Sequence, residues 1–122
     1  MALLISRDRL HVQAKDLAQS WTSPVVTTEY VLLEVANHLR ASKHREKFGD
    51  FLHDLEADPN TTIIPSDHTL WRRGVDLDLR RPDKDWSLTD YTSFLVMQER
   101  ALVDALTADH HFEQAGFSVL LK

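Results

Sequence analysis

The segment SLTDYTSFLVMQERALVDALTADHHFEQAGF, residues 87–117, decides the fold class that the sequence predicts. Ser87 has the capping-box spacing to Asp90, and the helix that follows is apolar on nearly all sides, as expected of a buried element. Residues 104–107 then have the pattern of a short strand, and residues 110–115 that of a short helix. This succession of helix, strand and helix is typical of an α/β layer around a parallel sheet.

The same alternation extends over the whole chain, so we expect a single domain over residues 1–122. The remaining elements follow from apolar periodicity and from β-branched runs. They are helix 8–21, strand 25–27, helices 28–40 and 43–56, strand 61–64, helix 66–79, helix 88–101 and a final strand 117–121.

The composition limits the functions that the chain can have. With no cysteine, disulfides, thiolate zinc sites and cysteine nucleophiles are excluded. A net charge of −5 argues against broad electrostatic coating of nucleic acid, but not against a nuclease, whose metal site is itself acidic. No apolar run approaches the roughly 20 residues that a membrane helix needs, so the sequence predicts a cytoplasmic protein without membrane contact.

Three carboxylates stand in positions where hydration is reduced, and each has two interpretations. Asp109 lies between a strand and a short helix, so it is either a helix cap or a ligand at the carboxyl end of a strand. Asp90 is either the acid of the capping box or a metal ligand that leads a buried helix. Glu34 borders an apolar helix face, where a glutamate at the rim of the core is the plainer interpretation.

Acids that converge on one crevice repel each other, and a hard divalent cation relieves this repulsion. Ligands that are oxygen atoms only indicate Mg²⁺ or Mn²⁺. The neighbouring histidines, His110 and His111, are expected to be solvated or to support the ligands, because adjacent side chains rarely both point inward.

Three segments together resemble the PIN domain family: residues 2–18, residues 27–39 (TTEYVLLEVANHL) and the segment 87–117. The resemblance implies an α/β/α sandwich on a short parallel sheet. It also implies cleavage of RNA phosphodiester bonds with Mg²⁺ or Mn²⁺, and many members are VapC-type toxins paired with an antitoxin.

The resemblance also assigns the site. Glu34, Asp90 and Asp109 match the catalytic, metal-binding acids of the family. Thr27 and Asn37 are expected nearby as supporting polar groups, with Asp104 as a weaker acid at the edge of the site.

One part of the family pattern is expected to be missing. Family members begin with a central strand that ends in a metal-binding aspartate, whereas here residues 2–4 are expected in the following helix and Asp8 in the loop after it. We therefore expect a chain truncated at its N-terminus, in which the gap either closes, is filled by a segment of a partner, or leaves a sheet edge that promotes a homodimer. The loss of one acid predicts weakened cleavage, and the alternative is an inactive module that binds an antitoxin or a second copy.

Overall fold

The computed structural model describes residues 3–10, 24–40 and 42–120. The strands in these ranges are β1 (Leu3–Ile5), β2 (Val25–Thr28), β3 (Thr61–Ile64), β4 (Asp104–Leu106) and β5 (Ser118–Val119). They form one sheet in the order β3-β2-β1-β4-β5, and every neighbouring pair is parallel. The predicted parallel sheet is therefore confirmed.

The expectation that the central strand is missing was wrong. Leu3, Leu4 and Ile5 form β1, in which Leu4 pairs with Val26 on one side and with Ala105 on the other. The strand is short and apolar, with Leu4 and Ile5 fully buried, so it lacks the alternation that distinguishes a strand from a buried helix. The placement of Asp8 after the first helix was also wrong, because residues 7–10 form a helical turn directly after β1.

The described helices agree with the predicted ones to within a few residues. They are α1 (Glu29–His38), α2 (Ser42–Ala57), α3 (His68–Leu79), α4 (Leu88–Glu99) and α5 (His110–Gln114). Most of the predicted helix 8–21 lies outside the described residues. Among the described helices, none combines the length and the apolar character needed to cross a membrane.

The two faces of the sheet are covered by different helices. Ile5 packs with residues of α1 and α2, including Val35 and Phe51, whereas the adjacent Leu4 packs with Phe94 of α4 and Phe112 of α5. This follows from the alternation of side chains along a strand. The result is the predicted α/β/α sandwich with hydrophobic cores on both faces.

The chain order of the strands fixes the position of a crevice. From β1 the chain builds one half of the sheet through β2 and β3, and it then builds the other half through β4 and β5. The order therefore reverses between β1 and β4. In open parallel sheets, ligands bind outside the carboxyl ends of the strands at such a reversal. The residues that follow Ile5 and Leu106 therefore lie where a ligand site is expected.

Candidate functional site

A cleft of about 270 Å³ opens at the carboxyl ends of β1 and β4. A water molecule takes about 30 Å³ in the liquid, so the cleft has room for a hydrated ion together with one phosphate group. Its lining combines acids and hydroxyls with apolar walls: Ser6, Arg7, Asp8, Val31, Thr89, Asp90, Ser93, Ala108, Asp109 and Phe112.

Asp90 reaches the cleft because it stands in the first turn of α4. Its Oδ2 accepts a hydrogen bond from the backbone N–H of Ser87 at 3.2 Å, and its own N–H donates to Ser87 Oγ at 3.0 Å. The capping box predicted from the sequence is therefore confirmed. These bonds fix the carboxylate at the helix end, where its side chain is 15% exposed.

Asp109 is the N-cap of α5, as its position between strand and helix predicted. Its Oδ1 accepts from the backbone N–H of His111 at 2.9 Å.

The other end of α5 turns sharply toward β5 through Gly116, whose φ of 97° favours glycine. The backbone N–H groups of Gly116 and Phe117 donate to Glu113 and Phe112 in a Schellman motif, which anchors the short helix.

The two acids meet beside the ring of His111. His111 Nδ1 lies 3.3 Å from Asp90 Oδ2 and 3.5 Å from Asp109 Oδ1. One possible ligand atom from each of these residues lies within 4.8 Å of the others. In the described part of the chain, no hydrogen bond reaches Asp90 Oδ1 or Asp109 Oδ2. Capping and metal binding are therefore compatible, because each carboxylate has a second oxygen.

The two acids repel each other, and this repulsion contributes to a raised pKa of Asp90. Burial raises the pKa of the Asp90 carboxyl, and the negative charge of Asp109 raises this pKa further. The hydrogen bond from the Ser87 N–H and the neighbouring His111 oppose the rise without cancelling it. A cation between the two carboxylates would favour their ionised forms and so oppose this rise.

Asp8 plays a different part in the same cleft. Its Oδ1 accepts from the hydroxyls of Ser6 and Thr107, the latter at 2.9 Å, and its Oδ2 accepts from the backbone N–H of Ala108 at 3.0 Å. Thr107 Oγ1 in turn accepts from the N–H of Asp109 at 3.0 Å. Asp8 thus ties the end of β1 to the loop that carries Asp109.

The hydrogen bonds to Asp8 outweigh its burial. Burial alone would raise the pKa of the Asp8 carboxyl, but the donors on Ala108, Ser6 and Thr107 lower the pKa below its ordinary value of 3.8. Asp8 is therefore an ionised carboxylate. Both of its oxygens accept hydrogen bonds within the chain, whereas Asp90 and Asp109 each accept them through one oxygen.

Ser93 gives a further sign that the cleft holds a polar group. It is 1% exposed, it lines the cleft one helical turn after Asp90, and its Oγ has no hydrogen-bond partner among the described residues. A buried hydroxyl without a partner costs about 1–3 kcal/mol. The orphaned hydroxyl and the two carboxylates fit a divalent ion with its water molecules.

Glu34 lies beside this group rather than within it. Its Oε2 forms an ion pair with Arg7 Nη1 at 3.0 Å, and it lines a neighbouring pocket together with Asn37. Arg7 lines both that pocket and the cleft. The structure therefore brings together Asp90 and Asp109 of the three predicted acids and places Glu34 in the neighbouring pocket, paired with Arg7.

The other two predicted supporting residues have distinct positions. Thr27 is buried in β2, and its hydroxyl donates to the carbonyl oxygen of Ile5 at 3.2 Å, so it stabilises the end of β1. Asp104 begins β4, whereas Asp109 follows the end of that strand. Asp104 thus lies at the opposite end of β4 from the cleft.

Sequence reasoning missed the roles of Asp8, Ser6, Thr107 and His111. A signal for Asp8 was present, since a polar Ser-Arg-Asp segment follows the apolar run that forms β1. The expectation that the two histidines are solvated or support the ligands was closer to the structure. His110 is exposed, while the half-buried ring of His111 contacts both acids.

Comparison with known proteins places this arrangement in a family. The crystal structure of the Mycobacterium tuberculosis toxin VapC20, which cleaves the sarcin–ricin loop, is similar to the chain with a TM-score of 0.78. The match covers 94% of this chain and 95% of that protein at 19% identity, which shows a shared fold. A search of curated proteins found no significant match. The sequence profile of the PIN domain matches residues 1–118, and the chain therefore belongs to the PIN domain family.

Proposed function

We propose that the protein is a metal-dependent ribonuclease of the VapC toxin type. The observation that carries the proposal is the convergence of Asp90 and Asp109 in the cleft at the reversal of strand order. VapC20 is described as a toxin that cleaves the sarcin–ricin loop, which supports RNA as the substrate class. The raised pKa of Asp90 and the orphaned Ser93 hydroxyl support the presence of an ion during the reaction.

The residues of the cleft would have different roles in the reaction. Asp90 and Asp109 would hold Mg²⁺ or Mn²⁺, which supplies positive charge against the developing phosphate charge and activates a water molecule. Arg7, with a side chain that is 55% exposed at the rim, is placed to bind a phosphate oxygen of the RNA. The buried Val31 and Phe112 form apolar walls, which strengthen the electrostatic interactions beside them.

Glu34 stays a proposed acid of this site, acting at its edge. Its ion pair holds Arg7, and a phosphate that attracts Arg7 would release the Glu34 carboxylate toward the cleft. Thr27 would support the site through its bond to Ile5, and Asn37 through its place beside Glu34. The position of Asp104 supports no role at the cleft.

The proposed partners follow from toxicity. A toxin that cleaves RNA must be held inactive in the cell that makes it, so we propose a cognate antitoxin that covers the cleft. We also propose that the chain acts in the cytoplasm as a single domain over residues 1–122 and as a homodimer. Sedimentation of the purified protein measures directly whether it is a homodimer.

RNA cleavage by the purified protein tests the proposal. An RNA with the sarcin–ricin loop and an unrelated RNA of equal length are incubated with Mg²⁺, with Mn²⁺ or with a chelator. We expect cleavage with the ions and none with the chelator. A single 2′-deoxy substitution at the cleaved position should leave cleavage intact, because water rather than the 2′-hydroxyl attacks the phosphorus.

The second candidate function is a PIN module that binds its partner and cleaves nothing. The observation in its favour is that Arg7 pairs with Glu34 at the edge of the site. Cleavage that persists in the chelator, or that stops at the 2′-deoxy substitution, would contradict the proposed metal-dependent hydrolysis. Intact RNA under every condition would contradict the proposed function and favour the second candidate.

A further inference from the structure

The site contains a nitrogen donor that the oxygen ligands of a Mg²⁺ site do not include. His111 Nδ1 faces both acids, and the ring of the adjacent His110 is exposed. We propose that His111 Nδ1 is the third ligand of the ion, and that this mixed set of ligands makes the site prefer a first-row transition ion such as Mn²⁺ to Mg²⁺. This inference rests on the proposed function, since it concerns the ion of the same site.

The distances fit three ligands of one ion. Neighbouring ligands about 2.1 Å from an octahedral ion lie about 3 Å from each other. His111 Nδ1 lies 3.3 Å from Asp90 Oδ2 and 3.5 Å from Asp109 Oδ1, and one donor atom from each of the three residues lies within 4.8 Å of the others, so the three groups are close enough to share one ion.

The backbone holds the imidazole in this position. The N–H of His111 donates to Asp109 Oδ1, so the first turn of α5 places the ring of His111 beside the carboxylate that caps the helix. Asp90 stands on α4, which packs against α5. The ligand set therefore joins two helices, and its geometry does not depend on a long loop.

The donor atoms decide which ion is preferred. Mg²⁺ takes oxygen ligands almost exclusively and retains its water molecules, whereas imidazole binds first-row transition ions with rising affinity from Mn²⁺ onward. Replacing one water of a Mg²⁺ site by imidazole thus gains little for Mg²⁺ and more for Mn²⁺. A site with the two carboxylates alone would not discriminate in this way.

Calorimetry and electron spin resonance on the full chain test the proposal. We expect Mn²⁺ to bind the parent protein more tightly than Mg²⁺. His111→Ala should weaken Mn²⁺ binding by about tenfold or more, a loss of the size seen when metal-site residues are removed. Binding of Mg²⁺ should change much less, and His110→Ala serves as the matched control with unchanged binding of both ions.

Electron spin resonance detects the nitrogen ligand of the ion directly. Bound Mn²⁺ in the parent protein and in His110→Ala should show magnetic coupling to a ¹⁴N nucleus, and this coupling should vanish in His111→Ala. His111→Asp restores an oxygen-only set and should move the preference toward Mg²⁺. Because the parent protein is measured directly, the result stands even where a variant fails to fold.

Two results would overturn the inference, and they are distinguishable. Mn²⁺ that binds and supports RNA cleavage without ¹⁴N coupling would remove His111 from the ligand set and leave the proposed function standing. A parent protein that binds neither ion would overturn both the inference and the proposed metal dependence.

Discussion

Asp90→Asn is expected to lower the rate of Mn²⁺-dependent RNA cleavage by about a hundredfold or more, since it removes one of the two carboxylates proposed to hold the ion. Asparagine is nearly the same size, and its amide oxygen can still accept the hydrogen bond from the Ser87 N–H, so the helix cap survives. The loss would therefore come from the missing charge. The rate is measured on a labelled RNA at saturating Mn²⁺.

The same substitution should not destabilise the metal-free protein. The charge of Asp90 is partly desolvated and is repelled by Asp109, as the raised pKa of Asp90 indicates. Neutralising it should leave the unfolding midpoint unchanged or higher, which separates a functional loss from misfolding. Asp85→Asn is the control, because Asp85 is exposed and lies outside the cleft. Equal cleavage rates in Asp90→Asn and the parent would remove Asp90 from the site.

Asp8→Ala is expected to destabilise the fold by about 2–4 kcal/mol, because the donors on Thr107, Ala108 and Ser6 would lose a charged acceptor. These contacts join β1 to the loop after β4, so the substitution should also weaken metal binding by displacing Asp109. Asp83→Ala is a matched control, since Asp83 is exposed and its pairing with Arg81 spans 3.8 Å at the surface. Urea denaturation measures the free energy of unfolding.

The contribution of Asp8 to the free energy of unfolding should decrease as the pH falls. The folded state lowers the pKa of Asp8 below 3.8, so the stabilisation is complete above the pKa of the unfolded chain and is lost as pH falls through the folded pKa. The stability difference between the parent and Asp8→Asn should therefore be largest near neutral pH and should shrink below about pH 4. A difference that stays constant from pH 7 to pH 2 would contradict the assigned hydrogen bonds.

Local signals in the sequence predicted much of the fold and part of the site. The capping box of Ser87 and Asp90 and the N-cap at Asp109 depend on residues two or three positions apart, and both were confirmed. The sequence posed capping and metal binding as alternatives for these acids. The two oxygens of a carboxylate allow both, which only the placement of the hydrogen bonds reveals.

The missed features depend on contacts between distant residues. β1 has three residues, and a short apolar strand buried on both faces has no periodicity to distinguish it from a helix. The bond between Asp8 and Thr107 joins positions 99 residues apart, which no local pattern encodes. The pairing of Arg7 with Glu34 likewise depends on the docking of α1 beside the turn after β1.

The most direct test of the central claim is a calorimetric titration with Mn²⁺ of the parent protein and of Asp109→Asn. The claim that Asp90 and Asp109 share one divalent ion predicts one bound ion per chain in the parent protein and affinity weakened by about tenfold or more in the variant. A parent protein that binds no ion, or an Asp109→Asn protein that binds it equally tightly, would contradict the claim.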